Sequence, residues 1–206
     1  DPKGEGSPDV AWNGQNYLVV WEDDRNVGFN ADIYGIRVRT DGTIVDPSAI
    51  AIAAQKDDDQ RNPAVSSNGS NFLVVWDDFR SASPGSDIYG SRVSAAGVNV
   101  DNGNIAISVG EFQQQYPDVA SNGSDYLVVW HDNRNGDSDI YGARVGSSTG
   151  GIFPADKGAS TGGFIVNDQA RNQEFPAVAY GGSSEYFVAW QDTRVLGGGN
   201  TDIFGA

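Results

Sequence analysis

Aspartate is the residue through which this sequence could do chemistry, and it recurs at fixed distances from tryptophan. One Asp lies two residues after each of four tryptophans (Asp23, Asp78, Asp132 and Asp192 after Trp21, Trp76, Trp130 and Trp190), and an Arg follows two residues later (Arg25, Arg80, Arg134 and Arg194). A second Asp opens the segment D-I-Y-G or D-I-F-G (Asp32, Asp87, Asp139 and Asp202). Hard carboxylate oxygens brought together from two such positions suit calcium, the one cofactor the sequence suggests. The same Asp beside Arg suits a bidentate pair that caps a loop and ties neighbouring units together. A catalytic centre needs one constellation, so a pattern written four times reads first as structure. The segment 132–139, DNRNGDSD, is densest in carboxylate and supplies the calcium candidates Asp132, Asp137 and Asp139.

Other chemistry is scarce. Cysteine is absent, which excludes disulfides and thiolate catalysis. The single histidine, His131, stands where the other copies have Glu22, Asp77 and Gln191, and reads as an exposed strand residue. Carboxylates are numerous enough for a glycosidase-type acid–base pair, yet none stands outside the repeat with a clear partner. The expectation is that the chain is not an enzyme. Two sequons, at Asn68 and Asn122, are candidate glycosylation sites, although Asn-Gly is already what the turn there demands.

These residues must be positioned by a repeated element. The four tryptophans stand 55, 54 and 60 residues apart, a period that fits a multi-strand unit. Each copy opens with proline and a short strand (PDVAW, PAVSS, PDVAS, PAVAY), turns through Asn-Gly or Gly-Gly, and enters the most apolar segment, YLVVW in the first copy. Alternate side chains of a strand face opposite ways, so Tyr17, Val19 and Trp21 share one face and Leu18 and Val20 the other, and both are apolar. The D-I-Y-G strand follows a variable loop (NVGFNA, SASPGS, NGDS, VLGGGNT) where partner contacts would sit, and a fourth strand such as AIAIA closes the unit. Helical periodicity is missing throughout.

Four-stranded meanders apolar on both faces and repeated in tandem pack radially. The expectation is an all-β chain: one four-bladed β-propeller with blades at 8–54, 63–109, 117–167 and 176–206, the last incomplete. The small first-strand residues Ala11, Ser66, Ala120 and Ala179 suit a narrow axis, and residues 1–7 read as a connector. The W-x-D-x-R…D-I-Y-G-x-R-V units resemble the β-propeller repeats of secreted or surface-attached prokaryotic proteins over nearly the whole chain. They lack the Gly-His element of WD repeats and the Asp box of sialidases.

The resemblance and an acidic composition, with net charge −15 from 28 acidic and 13 basic residues, imply an extracellular or cell-surface setting. The charge argues against nucleic acid as a partner, and no apolar run is long enough to insert into a membrane. The functional expectation is a non-catalytic module for binding or scaffolding, with a protein or glycan partner on a propeller rim. Two alternatives stand beside it: a fibre subunit self-associating by strand donation through its open last blade, and the accessory propeller of a carbohydrate-active enzyme.

Overall fold

Val-, Leu- and aromatic-rich strands punctuated by Asn-Gly turns fold as four consecutive antiparallel meanders. The computed structural model describes residues 4–25, 30–54, 58–81, 85–156, 162–194 and 201–206. Blade 1 is β1 (Glu5–Trp12), β2 (Tyr17–Asp23), β3 (Asp32–Val38) and β4 (Ile50–Ala53); blade 2 is β5 (Gln60–Ser67), β6 (Phe72–Asp78), β7 (Asp87–Val93) and β8 (Ile105–Ser108). Blade 3 is β9 (Gln114–Ser121), β10 (Asp125–Asp132), β11 (Asp139–Gly146) and β12 (Phe164–Asn167), with a 3-10 turn at Pro154–Asp156 before its last strand. Blade 4 has three strands, β13 (Gln173–Gly182), β14 (Glu185–Asp192) and β15 (Asp202–Gly205). No helix of the described residues is long and apolar enough to cross a membrane.

The Asn-Gly turns are built by their asparagines. Asn13 Oδ1 accepts the N–H of Gln15 and Asn16, and Asn68 and Asn122 do the same two and three residues on. The two sequon asparagines therefore hold turns that a third copy builds without a sequon. In the D-I-Y-G strands a side chain at the glycine would strike backbone: a Cβ on Gly35 would lie 3.1 Å from the Val19 carbonyl, and one on Gly90 3.0 Å from that of Val74.

The core lies between blades and follows one rule. The Trp face of each blade (Phe72, Val74 and Trp76 in blade 2) packs on the Leu/Val face of the blade before it (Leu18, Val20 and Ile33 in blade 1), and the same faces meet between blades 2 and 3 and between blades 3 and 4. Each large apolar side chain buried in this way contributes about 1.5–3 kcal/mol. Backbone bonds reinforce every junction: Gln60, Gln114 and Gln173 donate their N–H to Ala31, Ser86 and Ser138 of the preceding blade at 2.7–2.8 Å. Third-strand arginines span two of the junctions, Arg37 to the Ala95 carbonyl and Arg92 to that of Ser147, while each is clamped by its own Asp46 or Asp101.

Two faces have no neighbouring blade among the described residues. First strands adjoin in the order β1, β5, β9, β13, and no packing of comparable extent joins β13 to β1. Ile33, Ile88 and Ile140 are 0% exposed, whereas Ile203 at the same position of blade 4 is 72% exposed. Phe187 beside it, and Val10, Trp12 and Tyr17 on the far side of blade 1, are likewise exposed. The blades thus form an open arc bounded by an unpaired Trp face at one end and an unpaired Leu/Val-type face at the other.

First strands begin before the proline, at Glu5, Gln60, Gln114 and Gln173, so residues 5–7 are strand and not connector. Each carries a register shift at the proline. The residue before it, Ser7, Asn62, Tyr116 or Phe175, has φ of 46° or 52°, a left-handed conformation that a following proline disfavours. The strand positions lining the axial opening are Asp9, Ala64, Asp118 and Ala177, two residues ahead of the small residues expected there.

Candidate functional site

The four-fold Trp, Asp and Arg residues assemble a module within each blade. Trp21, Trp76, Trp130 and Trp190 donate their indole N–H to Asp23, Asp78, Asp132 and Asp192 at 2.8–3.1 Å. Each Asp also accepts the backbone N–H of its arginine at 2.9 Å and pairs with the guanidinium, and that guanidinium lies 4.1–4.3 Å over the ring of Tyr34, Tyr89, Tyr141 or Phe204. Burial works against ionisation of Asp23 and Asp192, but the hydrogen bonds from arginine and tryptophan outweigh it and hold both carboxyls below the usual range. The module ties a loop to its own blade, and Arg134 also reaches the preceding one, at Ser108.

The second aspartates, Asp32, Asp87, Asp139 and Asp202, stand directly opposite Asp23, Asp78, Asp132 and Asp192 in the strand register. No cluster of three carboxylates or histidines suited to a metal occurs among the described residues. Of the calcium candidates, Asp132 is engaged by Trp130 and Arg134, Asp139 accepts from Asn135 and Asp137 accepts the N–H of Arg171. Burial, then the charges of Asp168, Asp137 and Asp132, push the Asp139 carboxyl up. The variable loops fall largely on residues 26–29, 82–84 and 195–200, outside the described residues; NGDS at 135–138 is described.

All four blades converge on a funnel of about 400 Å3 around the axis, lined by Ser7, Asp9, Asn62, Tyr116, Asp118 and Phe175 together with the prolines and alanines beside them. Two carboxylates face it from alternate blades. Asp9 accepts the N–H of Val10 at 2.8 Å and of Val65, in blade 2, at 2.7 Å; Asp118 accepts those of Val119 at 2.8 Å and of Val178, in blade 4, at 2.6 Å. Burial raises Asp118 above the usual carboxylate range, the two backbone N–H groups oppose this, and the charge of Asp9 adds to the rise. Each carboxylate has lone pairs beyond those two bonds. Two acidic groups in one cavity, one holding its proton more tightly than usual, can divide the roles of general acid and base.

Behind the funnel wall lie groups that hold its shape. Glu22 accepts the N–H of Asn62 at 2.6 Å, and Asp77 accepts the N–H of Tyr116 at 2.8 Å and the side-chain amide of Asn62 at 2.6 Å. Burial pushes the Asp77 carboxyl up to about 8. His131 occupies the same repeat position and is buried, contrary to the expectation of an exposed strand residue; it packs against Tyr116 and Phe175, whose rings meet edge to face at 4.6 Å. Burial lowers its imidazole to about 4, so it is neutral at neutral pH.

Asp9 and Asp118 correct the reading that no carboxylate stands outside the repeat. The signal lies in the first strands, where the residue after proline alternates Asp, Ala, Asp, Ala. It is hidden by the larger number of aspartates that do repeat, and nothing linear shows that positions 109 residues apart face one cavity.

No family model and no curated protein matches this sequence. Solved structures do. An exo-1,5-α-L-arabinanase from a bovine ruminal metagenomic library superposes with a TM-score of 0.61 at 8% identity, covering 98% of this chain and 73% of its own. A thermostable family-43 glycoside hydrolase gives 0.58 at 12%, covering 96% and 69%, and an endo-arabinanase from Bacillus licheniformis gives 0.55 at 14%, covering 98% and 72%. Likeness at such identities establishes the fold, an incomplete β-propeller of antiparallel blades. These neighbours are arabinanases and a family-43 glycoside hydrolase, a finding that runs against the expectation of a non-catalytic module and of a chain that is no enzyme. A fold does not carry its activity with it, so the chemistry must be argued from the funnel.

Proposed function

We propose that this chain is a carbohydrate-active propeller that cleaves a glycan in the axial funnel, with Asp118 as the proton-holding acid and Asp9 as its partner carboxylate. The observation that carries this reading is the pair itself: two aspartates outside the four-fold pattern, on alternate blades, in the cavity where every blade meets. Burial, and after it the charge of Asp9, makes Asp118 hold its proton more tightly than an ordinary carboxyl, as the acid of a glycosidic pair requires. The arabinanase likeness makes 1,5-α-L-arabinan the first substrate to offer, and an acidic protein acting on polysaccharide belongs outside the cell or on its surface. The test is release of reducing ends from arabinan and other neutral polysaccharides. Wild-type protein releases them, and Asp118→Asn and Asp9→Asn each lower the rate at least about 100-fold; equal rates in wild type and both variants refute the assignment.

The open arc favours a second reading, for partners. Its two unpaired faces are the two halves of an interface the chain already makes with itself three times, so a second copy can seat its Trp face on Phe187 and Ile203.

A further inference from the structure

Four side chains ring the mouth of the funnel: Ser7, Asn62, Tyr116 and Phe175. Their backbone is the same each time, a residue before proline with φ of 46° or 52°, opposite a shift in strand register. Their identities differ each time. A constant scaffold with one changed side chain per blade is how a fold writes selectivity without altering its frame. The ring is also lopsided. Tyr116 and Phe175 form an edge-to-face aromatic pair, 37% and 43% exposed, backed by neutral His131. Ser7 and Asn62 supply a hydroxyl and an amide, and Asn62 has given its Nδ2 to Asp77, which leaves its Oδ1 to accept from a ligand.

We infer that this ring selects a neutral sugar unit: the apolar C–H face rests on Tyr116 and Phe175, and the hydroxyls turn toward Ser7, Asn62, Asp9 and Asp118. The inference rests on the proposal that the funnel takes a glycan, and it adds which glycans. A cavity of about 400 Å3 with an aromatic wall and a few convergent polar groups fits a ligand of one or two sugar rings. Aromatic surface left exposed in this way gains most by covering an apolar face. Asp9 in the funnel, Glu22 behind it and an overall charge of −15 set a negative potential that repels a uronate or sialate carboxylate. Tyr116 and Phe175 are positioning residues, since they touch substrate away from the bond that breaks.

The test uses replacements the fold already tolerates. Asn62 occupies the ring conformation in blade 2, so Tyr116→Asn and Phe175→Asn preserve the frame, which circular dichroism and thermal unfolding verify. Binding is measured by calorimetry with arabino-oligosaccharides, xylo-oligosaccharides and oligogalacturonate at low salt, and hydrolysis is followed in parallel. The expected result is binding of a neutral oligosaccharide, weakened at least about tenfold in each variant, with KM raised and kcat little changed, and no binding of oligogalacturonate. If wild-type protein binds and hydrolyses a neutral chain but the variants bind it equally, the ring assignment falls and the acid–base reading stands. If it binds with the expected variant losses but does not hydrolyse, the ring stands and the acid–base reading falls. Binding of oligogalacturonate as tight as that of neutral chains overturns the charge selection, and absence of binding to every neutral chain overturns the inference.

Discussion

Asp77 of the second blade accepts the backbone N–H of Tyr116 of the third at 2.8 Å, and so holds a funnel residue in place with a carboxyl that has no access to water. Folded, Asp77 keeps its proton to about pH 8; unfolded, it releases it near 3.8. Between those values the native state binds more protons, so stability falls as pH rises, by at most about 1.4 kcal/mol per pH unit. His131 works the other way, with 6.5 unfolded against about 4 folded, so its contribution is lost as pH falls from 6.5 to 4. Urea midpoints of the wild type should therefore decline from pH 6.5 to 8, where the Asp77 effect outweighs the fading one of His131, and Asp77→Asn should remove the decline. A variant that falls in parallel with the wild type rules out the buried carboxyl as the cause.

The open arc makes equivalent isoleucines unequal. Ile140→Ala empties a packed site between blades 3 and 4 and should cost about 2–5 kcal/mol, whereas Ile203→Ala, at the same repeat position but 72% exposed, should cost less than about 0.5 kcal/mol. Chemical denaturation of the two variants checks this. Similar losses would mean that blade 4 is covered in solution.

Within the repeated module the aspartate has most to lose. Asp132→Ala strands the Trp130 indole N–H and takes from Arg134 its buried carboxylate partner, and should cost about 3–5 kcal/mol with a change in tryptophan fluorescence. Arg61→Ala breaks the Arg61–Asp59 pair, both of whose side chains are partly solvated, while Asp59 keeps its bond from the Ala31 N–H, and should cost under about 1 kcal/mol.

Heterologous faces predict concentration-dependent association. Light scattering of the wild type should show mass rising with concentration, and Phe187→Ser with Ile203→Ser should return it to monomer without lowering the unfolding midpoint. A wild type that stays monomeric throughout would show that these faces do not recognise each other between copies.

The blades were legible in the sequence because their causes are local. The period of two in YLVVW, the Asn-Gly turns and the spacing of tryptophans specify strands, hairpins and repeat length, and repetition exposes each motif by comparison with its copies. Repetition also misled. It drew attention to Asp23, Asp78, Asp132 and Asp192, which the structure commits to tryptophan and arginine within their own blades, and away from Asp9 and Asp118, which depart from the pattern. The register shift before each proline, the burial of His131 and the failure of β13 to close on β1 have no signature in a linear string. They depend on how whole blades pack at the axis. The sequence by itself determined which residues pair along a strand, since hydrogen bonding and side-chain alternation act between near neighbours. Only the tertiary structure decided which carboxylates share a cavity, because that follows from the angle at which one buried face meets the next.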